Sequence, residues 1–145
     1  MAYKKYLRVD PYVPDRTEAL GDNTGQFSDK DIGKPVKLTA AGQCDLCASG
    51  EEIYGFVTAV EPATEDGHSI GSVTADVNKQ AYAVDEAGGL AIGDLVVAGT
   101  PVALGTATPN GGNVIAATST PAIHKWMVIE TYGGAAGDQV LLQKV

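Results

Sequence analysis

Three strings in the chain carry side chains that could do chemistry. Gly67-His68-Ser69-Ile70-Gly71 has the G-x-S-x-G spacing of a serine nucleophile elbow, and Asp85 or Asp94 followed by His124 would complete a triad in chain order. That chemistry needs the serine on a sharp strand-to-helix turn, with a helix N-terminus supporting the oxyanion. Here a loop, Pro62 to Asp66, precedes the string, and an alternating strand follows it. The expected reading is a turn entering a strand, so Ser69, His68 and His124 are not expected to be catalytic.

Cys44-Asp45-Leu46-Cys47 is a lone C-x-x-C. On a strand, residues three apart point to opposite faces, so the two thiols could not share a tetrahedral metal without a bulge or turn. His68 and His124 are not paired with each other or with the cysteines. Both thiols are therefore expected to be small buried residues. Lys79 stands between two strands, where biotinyl and lipoyl carrier domains present their modified lysine. Its neighbours Val77-Asn78 and Gln80-Ala81 match neither flanking signature, and a solvated turn lysine is expected. Glu51-Glu52 and Glu65-Asp66 lack the spaced oxygen series of a calcium loop. No catalytic residue, cofactor or metal is expected, and the chain is read as a non-enzyme.

The elements around these residues are short and turn-rich. In 145 residues there are 18 glycines, 44% hydrophobic residues and only 6% aromatics, a balance that suits an all-β domain with many tight turns. Strands are predicted over 35–38, 43–48, 53–60, 69–77, 79–84, 95–97, 102–104, 125–131 and 139–145, with a hairpin-type turn at Pro109-Asn110-Gly111-Gly112. Strands at this spacing predict a small barrel or sandwich. No window carries a helical stripe; the best helix candidate, Thr17 to Leu20, is a single turn.

Residues 1–30 differ from the rest. They hold Pro11, Pro14 and a polar stretch from Gly21 to Gln26, with no packing period. They are predicted to form an extended arm, with the β-domain over 31–145. The formal net charge is −8, which disfavours nucleic acid as a partner. Residues 1–16 carry Lys4, Lys5, Arg8 and Arg16 against Asp10 and Asp15, a net of +2, so the remainder nets −10. This basic head can meet acidic groups on a partner. Its apolar residues Tyr3, Tyr6, Leu7, Val9, Tyr12 and Val13 can anchor in a neighbour's grooves. The partner-binding set is therefore Tyr3, Lys4, Lys5, Tyr6, Leu7, Arg8, Val9, Tyr12 and Val13. No apolar run approaches the ~20 residues that span a bilayer, and no membrane partner is expected.

The strings Ile53-Tyr54-Gly55-Phe56-Val57 after Lys34-Pro35-Val36, Asp66 to Val73, and Gly93-Asp94-Leu95-Val96-Val97-Ala98-Gly99-Thr100-Pro101-Val102 give residues 31–145 a pattern. In it the chain resembles the decoration, or cement, proteins of tailed-bacteriophage capsids. The resemblance implies a structural protein made in the host cytoplasm and bound to the outer surface of the virion. Its partners would be the major capsid protein and further copies of itself, as a trimer or alternatively a dimer. A small β-sandwich binding module for glycans or adhesion is the alternative reading, and a biotinyl or lipoyl carrier a third.

Overall fold

The computed structural model describes residues 15–21, 26–39, 42–61, 69–118 and 124–145. Within them lie ten strands: β1 (Arg16–Leu20), β2 (Pro35–Leu38), β3 (Cys44–Leu46), β4 (Gly55–Glu61), β5 (Ser69–Thr74), β6 (Gln80–Asp85), β7 (Leu95–Ala98), β8 (Asn113–Ala116), β9 (Trp126–Thr131) and β10 (Gln139–Lys144). The fold is all-β, as the turn chemistry and alternation predict. The strands close into two five-stranded barrels, ordered β1-β3-β2-β4-β5 and, read around the ring from β6, β6-β8-β7-β9-β10.

The two barrels share one strand topology. Shifting each strand label by five turns the first ring into the second, and every pairing keeps its direction. β1–β3 and β6–β8 are the parallel pairs, and all others are antiparallel. The registers agree residue by residue. Val36 lies opposite Leu46 and Gly55, and Val96 lies opposite Ala116 and Trp126. Each barrel carries one bulge at the same place, with Thr58 as the extra residue in β4 and Ile129 in β9. The turn before the second strand also recurs, as Ile32-Gly33-Lys34 and Ile92-Gly93-Asp94. Gly33 (φ 92°) and Gly93 (φ 96°) occupy the left-handed region that favours glycine. Their amides donate to the carbonyls of Val57 (2.7 Å) and Val128 (2.8 Å), and the amides of those valines return bonds to Lys34 and Asp94.

Each barrel has a core, but the cores are not independent. Leu20, Phe27, Val36, Cys44, Val57, Val73 and Ala75 fill the first. The second includes Val96, Val114, Trp126, Val128 and Leu142, together with Cys47, Ile53 and Phe56 from the first half of the chain. The Phe56 and Trp126 rings meet edge to face, centroids 4.9 Å apart at 87°. Such a contact adds about 0.5–1.5 kcal/mol beyond the area it buries. Backbone bonds from Gly50 to Ala98 (2.8 Å) and from Ala98 to Glu51 (3.0 Å) extend the joint.

A buried ion pair reinforces it. Asp31 and Lys34 are 0% and 1% exposed, with Lys34 Nζ 2.5 Å from Asp31 Oδ1. Lys34 Nζ also donates to the carbonyl of Ala103 (2.8 Å). The Asp31 carboxylate accepts from the amides of Ser28 (2.8 Å) and Gly105 (3.0 Å). Burial alone would raise the Asp31 carboxyl. The Lys34 ammonium and the two amides outweigh it and hold the group below its ordinary value.

Several sequence expectations are corrected. The β-domain begins before residue 31: Thr17 to Leu20, the best helix candidate, lies within β1 (Arg16–Leu20), a strand of the first barrel, and Phe27 is in its core. Five register pairs with β5 hold β1 in place, although its own residues show no alternation. Residues 102–104 are not a strand. Lys79 is buried rather than solvated, 6% exposed, with Nζ 3.6 Å from Asp15 Oδ1. Each of the ten strands has a neighbour on both sides, so the described strands leave no open sheet edge for a second copy to pair with.

Candidate functional site

The residues singled out as a hydrolytic triad are each engaged elsewhere. Ser69, fully buried on β5, donates its hydroxyl to the carbonyl of Phe27 (2.9 Å). Asp85 accepts from the amides of Gly88 (2.8 Å) and Leu90 (3.0 Å) and shapes the turn after β6. Asp94 accepts from the Ala91 amide (2.9 Å). His124 Nδ1 lies 2.7 Å from Glu52 Oε2, tying the entrance of β9 to the segment before β4. His68 lies outside the described residues. The hydroxyl, carboxylates and imidazole thus serve four separate structural contacts.

The two cysteines are free and face different cores, Cys44 the first and Cys47 the second, as a period of two requires. Burial, with nearby carboxylates, pushes each thiol up to about 12, so neither is a ready thiolate. Among the described residues no group of three or more His, Cys, Asp or Glu is placed to hold a metal ion. The nine residues from Tyr3 to Val13 that the sequence predicts to bind a partner lie outside the described residues.

The feature that sequence reasoning missed is an open groove of about 900 Å³ where the barrels meet. Phe56, Val57 and Thr58 of β4 line it from one barrel, and Gln80, Ala81 and Tyr82 of β6 with Leu141 of β10 from the other. The Tyr82 and Tyr132 rings stand together, centroids 6.1 Å apart. Burial, then Tyr82 and the Glu130 carboxylate beside it, push the Tyr132 phenol up, and it stays neutral. The loop 108–111 forms a further wall. It can approach β6 only because residue 111 is glycine, at φ 102°: a Cβ there would lie 2.3 Å from the Tyr82 carbonyl. Gln139 fastens the same loop by donating to the Asn110 carbonyl (3.1 Å).

At the groove's edge stands Asp15. Thr58 Oγ1 donates to its Oδ2 (2.8 Å). Its Oδ1 is buried with no hydrogen-bond partner among the described residues, and Lys79 Nζ is 3.6 Å away. The groove draws on eight separated stretches of sequence, so no local motif announces it. The recurring Ile-Gly-x-x-Val of residues 32–36 and 92–96 was the one signal that could have exposed the doubled architecture in which it sits.

Comparison with protein-family models, curated proteins and solved structures found no match.

Proposed function

We propose that this protein is a structural decoration protein of a phage capsid, bound to the outer surface of the head and reinforcing contacts between capsomers. The observation that carries the reading is the pairing of a fused double barrel with a basic, tyrosine-bearing N-terminal segment on an acidic body. A shell stabiliser needs a rigid body and an adhesive element, since binding across subunit contacts stabilises the assembled state by mass action. Two barrels sharing a core and a buried ion pair supply rigidity. Lys4, Lys5, Arg8 and the three tyrosines of residues 1–13 supply adhesion, electrostatic first and then by burial. The partners proposed are the major capsid protein and further copies of this chain.

The test is binding to purified phage heads that lack their decoration layer. Full-length protein should saturate at a defined ratio to the major capsid protein and raise the temperature at which heads release DNA. Deletion of residues 1–13 should weaken binding at least tenfold, about 1.4 kcal/mol. Equal binding by the truncated protein would refute the arm's role, and no binding by either would refute the function.

The glycan-binding alternative draws support from one observation. The groove holds two adjacent tyrosine rings, on whose faces a sugar ring can stack, with the Gln80 and Gln139 amides nearby as hydrogen-bonding groups for hydroxyls. Saturable binding of a host surface glycan, lost in Tyr132→Ala, would favour that reading.

A further inference from the structure

We propose that the groove between the barrels receives the N-terminal segment, residues 1–13, of a second copy of this chain. The inference rests on reading that segment as an attachment element, and it names the surface the element attaches to.

Three observations converge on the groove. The first is where the segment starts. Asp15 is part of the groove wall, pinned by Thr58 and close to Lys79, so residues 1–14 join the body at the groove's edge. The second is chemical fit. The segment brings Tyr3, Tyr6, Leu7, Tyr12 and two valines. The groove offers Ile32 and Tyr132, 41% and 37% exposed, above Phe56 and Leu141. Aromatic side chains in a preformed cleft bury much apolar area for few lost rotors. The third is charge. Residues 1–14 carry Lys4, Lys5 and Arg8 against Asp10, a net of +2, while residues 15–145 net −10.

Pro11 and Pro14 favour a second copy over the chain's own groove. Each proline fixes its own φ, and each biases the residue before it, Asp10 or Val13, to extended backbone. A segment that had to fold straight back from Asp15 would need its reversal within this stiff stretch. Extended, 14 residues reach about 45 Å, more than the ~37 Å breadth of a compact body of this size. Two copies related by a two-fold axis can exchange segments, each giving one and receiving one.

The test is a directed cross-link in full-length protein. Tyr6→Cys and Tyr132→Cys are made as separate chains, one with a mass tag, mixed at micromolar concentration and treated with a short thiol cross-linker. Buried Cys44 and Cys47 do not compete. The expected product is a dimer holding one chain of each kind, absent when exposed Ser49→Cys, which is not part of the groove, replaces Tyr132→Cys. Tyr132→Glu should weaken self-association seen by light scattering at least tenfold, with an unchanged melting midpoint. A link formed only within a doubly substituted chain, whatever the dilution, would give the groove to the chain's own segment and overturn the proposal. So would no link of either kind. Head binding separates this inference from the one beneath it. If deletion of 1–13 abolishes head binding but no cross-link forms, the exchange fails and the attachment reading stands. If the cross-link forms and the truncated chain still binds heads fully, the exchange stands and the attachment reading fails.

Discussion

Removing one partner of the Asp31–Lys34 pair should destabilise the protein more than most single substitutions. Both side chains are excluded from solvent, and breaking a buried pair leaves a charge without compensation, at a cost of about 3–5 kcal/mol. The structure ranks the two halves. In Lys34→Met the Asp31 carboxylate keeps the Ser28 and Gly105 amides, so the loss should fall near ~3 kcal/mol. In Asp31→Leu the Lys34 ammonium keeps only the Ala103 carbonyl and two amides lose their acceptor, so the loss should approach ~5 kcal/mol. At roughly 2–4 °C per kcal/mol for a chain of this size, midpoints should drop about 6–20 °C. Carrying both changes together should cost less than the sum of the two, because neither charge is then stranded. The pH dependence has a definite sign. The folded Asp31 carboxyl lies below its ordinary value, so the pair's contribution is present above about pH 4 and fades as pH falls through the folded value. In Lys34→Met the stranded carboxylate gains by protonation, so the variant's deficit should shrink between pH 7 and pH 4. Urea melts of the four proteins at both pH values measure all of this. Singles within 1 kcal/mol of wild type, or strictly additive losses, would refute the reasoning.

Three further outcomes follow from the packing. Phe56→Ala removes the ring that meets Trp126 across the two barrels, and calorimetry should show a loss of about 3–5 kcal/mol. Cys44 and Cys47 should react with a thiol reagent only on unfolding. Because folding raises both thiols from 9.0 to about 12, stability should decline as pH rises from about 9 toward 12, and Cys44→Ala with Cys47→Ala should flatten that decline. Gly71→Ala would set a Cβ 2.3 Å from the Ala59 carbonyl and 2.7 Å from Leu20 Cδ1, so β4 and β5 must part and the melting midpoint should fall by several degrees.

The residues themselves determined the parts of this protein governed by local rules. Frequent glycine, short apolar runs and the absence of a helical period fixed the all-β class. The period of two sent Cys44 and Cys47 to opposite faces, and the structure places them in two different cores. Sequence context alone made Ser69 the start of a strand, which is where the structure places it. Tertiary structure decided the rest, because it depends on pairings between residues distant in sequence. Arg16–Leu20 has no strand pattern of its own and is a strand because β5 supplies its hydrogen-bond register. Lys79 follows a turn, where solvent is the ordinary expectation, yet it is buried because the fold brings Asp15 beside it. The repeat of one barrel by the other shows in sequence only as Ile-Gly-x-x-Val, since backbone topology and register survive exchanges such as Gly55 for Trp126. The groove is more remote still from local sequence. Tyr82 and Tyr132 are 50 residues apart in the chain, and they meet only because β6 and β9 close onto β10 from opposite sides.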